Sequence, residues 1–155
     1  MRKVALDANL LVLLAVGLVS RDSILRHKRL RAYSPDDFDL LRELIEPANR
    51  IVATPNSITE ASNIAGYGLH EELRAHVYRR LGAIIEALDE RYEPSSLVIK
   101  EPEYTRLGIS DCAWLRCLEI STPLLTVDVE LYVAALHRKL TALNFNHYRE
   151  QRGTV

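Results

Sequence analysis

The stretch Pro123-Leu124-Leu125-Thr126-Val127-Asp128-Val129-Glu130 decides how the chain is read. From Leu124 to Val127 it is apolar with one threonine, the composition of a short strand covered on both faces. Asp128 stands where the backbone leaves that strand, and residues 129–140 follow as a helix. In an open parallel α/β sheet, ligands collect outside the carboxyl ends of the strands, so Asp128 stands where chemistry is done. The same figure opens the protein: Arg2-Lys3-Val4-Ala5-Leu6, then Asp7, then the apolar run 10–19.

Working outward, residues 9–19 read as a helix apolar on nearly all sides, which marks it as buried. Residues 21–31 are basic, with Arg21, Arg26, Lys28, Arg29 and Arg31 around His27. Ser34 and Pro35 are a cap and a first-turn proline for a helix that carries Phe38, Leu40, Leu41, Leu44 and Ile45 and stops near Pro47. A second strand covers 50–53. Ser57-Ile58-Thr59-Glu60 matches a capping box, which starts a helix through 63–65. Residues 71–91 read as one long amphipathic helix. Residues 97–99 read as a strand or extended connection. Ser110 caps a helix over 112–119, a last strand covers 141–145, and the polar tail from His147 frays. The order of elements predicts a single-domain three-layer α/β/α sandwich with a parallel four- or five-stranded sheet, the domain spanning 1–150 and a tail 151–155.

The totals narrow the classes. A chain of 155 residues with 48% hydrophobic and 26% charged residues is one globular domain with a sizeable core. Its formal net charge of −1 leaves any nucleic-acid surface to local patches. Cys112 and Cys117 are too few for a disulfide framework, lack zinc spacing, and read as buried thiols in a reducing cytosol. The apolar run 10–19 is well short of the roughly 20 residues that span a bilayer, and no cleavage site follows it. The expectation is a cytoplasmic protein with no membrane partner.

Four carboxylates share one structural address. Asp7 and Asp128 end strands; Glu60 and Asp111 lie in first turns of helices that begin at the same end of the sheet. Each has an ordinary explanation. Asp7 and Asp128 suit helix caps, Glu60 completes the capping box, and Asp111 complements a helix dipole. Gathered together, however, carboxylates repel: at about 4 Å and an effective dielectric near 20, each pair costs up to about 4 kcal/mol. A set of hard oxygen donors without histidine suits one or two Mg²⁺ or Mn²⁺ ions rather than zinc.

The stretches Val4-Ala5-Leu6-Asp7-Ala8-Asn9, Thr54 through Asn63 around Glu60, Leu107-Gly108-Ile109-Ser110-Asp111 and Leu124-Leu125-Thr126-Val127-Asp128 resemble, in order, the four acidic motifs of PIN domains. Asn144-Phe145 resembles that family's final strand. The resemblance implies a metal-dependent nuclease acting on RNA, as in the toxins of bacterial toxin–antitoxin pairs, with an antitoxin protein as partner and a homodimer as the common assembly. Carried over, Asp7, Glu60, Asp111 and Asp128 bind Mg²⁺ or Mn²⁺. Asn9 and Thr126 position a carboxylate or a water, with Asn63 a weaker candidate of that kind. The segment between Asp7 and Glu60 is longer than in compact toxins of the family, the basic stretch being the apparent extra; that stretch is either a solvated loop or a phosphate-tracking patch.

Other classes fare worse. An aspartyl phosphotransferase wants a second Asp two residues after the first, where this chain has Asn9. A nucleotide-binding module wants a glycine-rich phosphate loop, which follows no strand here. The serious rival is a non-catalytic PIN-like module that binds RNA or protein. Tyr33, Trp114, Leu118 and the histidines read as packing or surface residues.

Overall fold

Val4, Ala5 and Leu6 are all buried, so the first strand, β1 (Lys3–Leu6), is covered on both faces. A strand so covered sits at the centre of a sheet flanked by helices. The computed structural model describes residues 2–155; Met1, with which the domain read from the sequence begins, lies outside them.

Four further strands join β1: β2 (Arg50–Ala53), β3 (Asp89–Glu90), β4 (Leu124–Thr126) and β5 (Ala142–Asn144). All pair in parallel, in the order β3-β2-β1-β4-β5. With helices flanking this sheet, the fold is the expected three-layer α/β/α sandwich. Helix α1 (Ala8–Val19) is buried along most of its length. It packs against α2 (Pro35–Ile45), α3 (Pro55–Ala65) and α4 (Glu71–Ala87). Short helices α5 (Ser95–Val98) and α6 (Tyr104–Leu107) lead into α7 (Ile109–Cys117), and α8 (Val129–His137) joins β4 to β5. Helix α9 (Phe145–Arg152) closes the chain. Among the described residues no helix is long and apolar enough to cross a membrane.

Several elements depart from the sequence reading, each for a non-local reason. The helix expected over 71–91 ends at Ala87, and Asp89 and Glu90 pair with Val52 and Ala53. Lys3 holds Asp89 at 2.6 Å. A two-residue charged edge strand stabilised by a partner 86 positions away leaves no periodic signal. Residues 97–99 are not extended: Val98, 1% exposed, is tucked by the one-turn helix α5 against Cys112 and Ala113. The tail expected to fray from His147 is instead helical through Arg152, past the boundary drawn at 150. Arg149 anchors it, bonding Asp37 at 2.9 and 3.1 Å from inside the protein. Cys112 and Cys117 are free thiols, Cys112 buried.

Candidate active site

The sheet order sets the site. From β1 the chain builds outward to β2 and β3, then crosses back to place β4 on the other side of β1. The carboxyl ends of β1 and β4 therefore flank the topological switch point, where open α/β sheets bind ligands. Asp7 follows β1 and Asp128 stands just beyond β4.

Asp7 is 7% exposed. Its Oδ1 accepts the Leu10 N–H at 3.0 Å, capping α1. Its Oδ2 accepts the Thr126 hydroxyl at 2.6 Å and the Val127 N–H at 2.8 Å. Thr126, fully buried, also accepts the Asp128 N–H at 3.0 Å. One hydroxyl thus fixes both strand-end aspartates. Asp128 caps α8 through Oδ1, which accepts the Leu131 N–H at 3.0 Å. The capping explanation therefore holds for both residues. An ionised carboxylate has about four acceptor sites, so capping leaves each with capacity to spare.

Glu60 loses its ordinary explanation. The capping box of α3 is formed by Thr54 and Ser57, not by Ser57 and Glu60. The Thr54 hydroxyl accepts the Ser57 N–H at 3.2 Å, and the Ser57 hydroxyl accepts the Thr54 N–H at 3.1 Å. Pro55 then takes the first helical position and Glu60 falls a full turn further along, outside the cap. Asp111 loses part of its own. Helix α7 starts at Ile109, earlier than expected, and is entered through Gly108 at φ +80°, a conformation suited to glycine, with no side-chain cap from Ser110.

The four acids line one small pocket together with Asn9 and Ser110, about 50 Å³ in volume. That is room for an ion with one or a few waters. The pocket shares Glu60, Ser110 and Asp111 with a cleft of about 650 Å³ bordered also by Asn56, Thr59 and Asn63. Burial, reinforced by the charges of Asp128, Glu60 and Asp7, pushes the Asp111 carboxyl up to about 7. Burial also raises Asp7 above the usual carboxylate range, against the three hydrogen bonds it accepts. Among the described residues the ion pairs lie elsewhere, and no Lys, Arg or His pairs with Asp7, Glu60, Asp111 or Asp128.

This donor set fits a hard divalent cation in chemistry: carboxylate oxygens, excess negative charge and a space of ionic size. As placed, no three Asp, Glu, His or Cys side chains of the described residues converge at ligand distance. Closing a cage around an ion requires side-chain rotation, for which exposed Glu60, bonded to no donor among the described residues, has freedom that the capping residues Asp7 and Asp128 lack.

Other residues fall where their neighbours put them. Tyr33 packs with its ring 6.5 Å from Phe145, and burial and the Asp7 charge raise its hydroxyl to about 12, consistent with a packing role. Trp114 is core but also walls the acidic pocket, which helical-face reasoning did not anticipate. Asn56 and Thr59 were likewise missed; their signal was a polar face on α3 shared with Glu60 and Asn63. A separate, more apolar cavity of about 470 Å³ between α1, α2 and α4, walled by Leu14, Ile45 and Ile84, contains none of the four acids. Comparison of the chain with protein-family models, with curated proteins and with solved structures finds no match.

Proposed function

We propose that the protein is a metal-dependent endoribonuclease of the PIN type, hydrolysing RNA phosphodiester bonds at the pocket between β1 and β4. One observation carries this reading: four carboxylates from four separate segments line a single pocket without a cation beside them among the described residues. Helix capping accounts for Asp7 and Asp128 singly, but it does not account for Glu60 and Asp111 beside them, in a fold that pairs its other buried acid with arginine.

Asp7, Glu60, Asp111 and Asp128 would hold Mg²⁺ or Mn²⁺, one ion or two. When bound, the cation supplies acidification of a water and neutralisation of charge on the phosphate. The chain's own residues do the rest. Thr126 holds the Asp7 carboxylate by a donated hydrogen bond, and the Asp128 backbone by an accepted one, so both acids keep a fixed orientation. Asn9, on the pocket wall, offers an amide to a phosphate oxygen or to the attacking water. Asp111, whose carboxyl burial and the neighbouring acids raise to about 7, is the acid with most to gain from a cation in the pocket.

The same reading makes RNA the substrate, the cytoplasm the compartment, a small antitoxin-like protein the partner and a homodimer the assembly. The rival, a non-catalytic PIN-like binding module, draws support from the open arrangement of the acids. Incubation of the protein with labelled RNA in Mn²⁺, in Mg²⁺ and in EDTA tests the chemistry. Cleavage only with the divalent ions, lost in Asp111→Asn, is expected. RNA left intact with either ion, together with a melting temperature indifferent to Mn²⁺, favours the rival.

A further inference from the structure

We infer that the polar face of α3, and the turn beyond it where Arg29 lies over Tyr67, form the track by which a single RNA strand reaches the acidic pocket, with Tyr67 as a base-stacking platform. This rests on the nuclease reading above and extends it to the form of the substrate.

The face is built from helical spacing. Asn56, Glu60 and Asn63 lie on one side of α3 and border the cleft that shares Glu60 and Asp111 with the acidic pocket. Tyr67 comes four positions after Asn63, just beyond the end of α3 at Ala65, in a turn closed by its N–H to the Ile64 carbonyl at 3.1 Å. Tyr67 follows the C-cap Gly66, in the turn that leaves the end of this face. Tyr67 is 55% exposed. The Arg29 guanidinium stands 5.8 Å from the centre of its ring.

The basic loop is fastened to this turn rather than solvated at random. The buried His27 donates from Nε2 to the Ala65 carbonyl at 2.8 Å. Its Nδ1 accepts the Arg29 N–H at 3.1 Å, which fixes one neutral tautomer. Burial lowers the pKa of His27 and favours that neutral form. The Lys28 stem crosses Gly68 so closely that a Cβ there would lie 2.6 Å from it, and Gly68 also has φ +77°. On the other side Arg74 covers Gly66, where a Cβ would lie 2.8 Å from the arginine's Cγ. Lys28, Arg29 and Arg74, the last with its guanidinium 5.5 Å from the centre of the Tyr78 ring, therefore lie against the turn that carries exposed Tyr67. None of the three is in an ion pair among the described residues. Glu71 and Glu72 open α4 close by in sequence and set one edge of the basic region.

Cations that track phosphates beside an aromatic platform are the apparatus of single-strand recognition, since every base has a π face. A duplex keeps its bases stacked on one another and gives Tyr67 nothing to hold.

The test uses a short labelled oligouridylate, its duplex with oligoadenylate, and full-length protein in the inactive Asp111→Asn background with Mg²⁺. Tyr67→Ala is expected to weaken single-strand binding about tenfold and Tyr67→Phe to preserve it. Lys28→Ala and Arg29→Ala are each expected to lower the log–log salt slope by about 0.7. The duplex is expected to bind more weakly than the single strand. Unchanged affinity in Tyr67→Ala, tighter duplex binding, or no binding of the oligonucleotide by the parent protein overturns the track. Hydrolysis of bis(p-nitrophenyl) phosphate with Mn²⁺, measured with Asp111 intact, reads the acids alone. Absent hydrolysis of this ester and of RNA, with Tyr67→Ala still impairing binding, removes the nuclease reading and leaves the track standing; the opposite pair of results does the reverse.

Discussion

At the C-terminal clasp, Asp37 is fully buried and meets Arg149 through hydrogen bonds of 2.9 and 3.1 Å. It also receives the Ser34 N–H at 2.8 Å and the Thr154 hydroxyl at 3.0 Å. At the strand ends, Asp7, Glu60, Asp111 and Asp128 share a pocket with no such counter-charge among the described residues. The protein can bury a carboxylate well when stability is the aim, and it does so with an arginine and a full set of donors. Of the pocket acids, Asp7 and Asp128 receive backbone N–H groups and, for Asp7, one hydroxyl, which orient them and leave their charge uncompensated; Glu60 and Asp111, on α3 and α7, receive no donor among the described residues. The difference separates carboxylates that hold the fold from carboxylates available for a cation.

The largest effect is expected at the clasp. Asp37→Ala strands Arg149 inside the protein and should cost about 3–5 kcal/mol, read as a shift in a urea unfolding midpoint. A loss below about 1 kcal/mol would mean that the clasp is as dispensable as a surface pair. At the pocket the response should be opposite in kind. Asp111→Asn removes one of four repelling charges from a side chain that bonds no donor, so apoprotein stability at pH 8 should rise. RNA cleavage should fall by about 100-fold or more. Asp7→Asn is a poorer probe, because its amide would face donors that now meet a carboxylate oxygen.

Thr126→Val sharpens the comparison at intermediate size. It keeps the volume of a fully buried side chain and removes the hydroxyl that joins Asp7 to the Asp128 backbone. A stability loss of about 1–2 kcal/mol is expected, with a fall in cleavage of about tenfold or more from the misaligned acids. Stability lost with activity retained would confine the hydroxyl to a packing role.

The clasp and the pocket were unequally legible in the sequence. Asp7, Thr126 and Asp128 could be read because strand-end position follows from short apolar runs, and each run is local. Glu60 was read in the right place for an incomplete reason: both Thr54/Ser57 and Ser57/Glu60 have plausible capping spacing, and Pro55 at the first helical position decides between them. Asp37–Arg149 could not be read at all, since its partners are 112 residues apart. The edge strand at Asp89 and Glu90 was hidden in the same way, its pairing supplied by β2 and Lys3 rather than by its own composition. Local pattern reports where elements begin; it is silent on side chains that meet only once the chain has folded.

Acid titration without metal gives the smallest and most direct contrast. Asp111 titrates near 7 in the folded protein against an unfolded value of 3.8. Between these values the native state holds a proton that the unfolded state has released, so this group makes stability fall as pH rises from about 4 to about 7, and flat beyond. For a partly exposed side chain screened by water the drop should be about 1 kcal/mol. Asp37 has the other sign. Burial pushes it up, but the Arg149 hydrogen bonds, the Ser34 N–H and the Arg149 charge together hold it below 3.8. Its contribution is present above about 4 and disappears only as pH falls through the lower folded value. Urea midpoints measured in EDTA should therefore carry an acid-pocket limb that rises from pH 8 to about pH 4, with Asp7 acting in the same sense and buried, neutral His27 opposing it as pH falls through 6.5, and then collapse in stronger acid. Asp111→Asn should flatten the first limb and leave the second, and millimolar Mn²⁺ should do the same by giving the charged pocket its missing partner. A first limb unchanged by both would mean that the strand-end charges are already neutralised by something other than a cation.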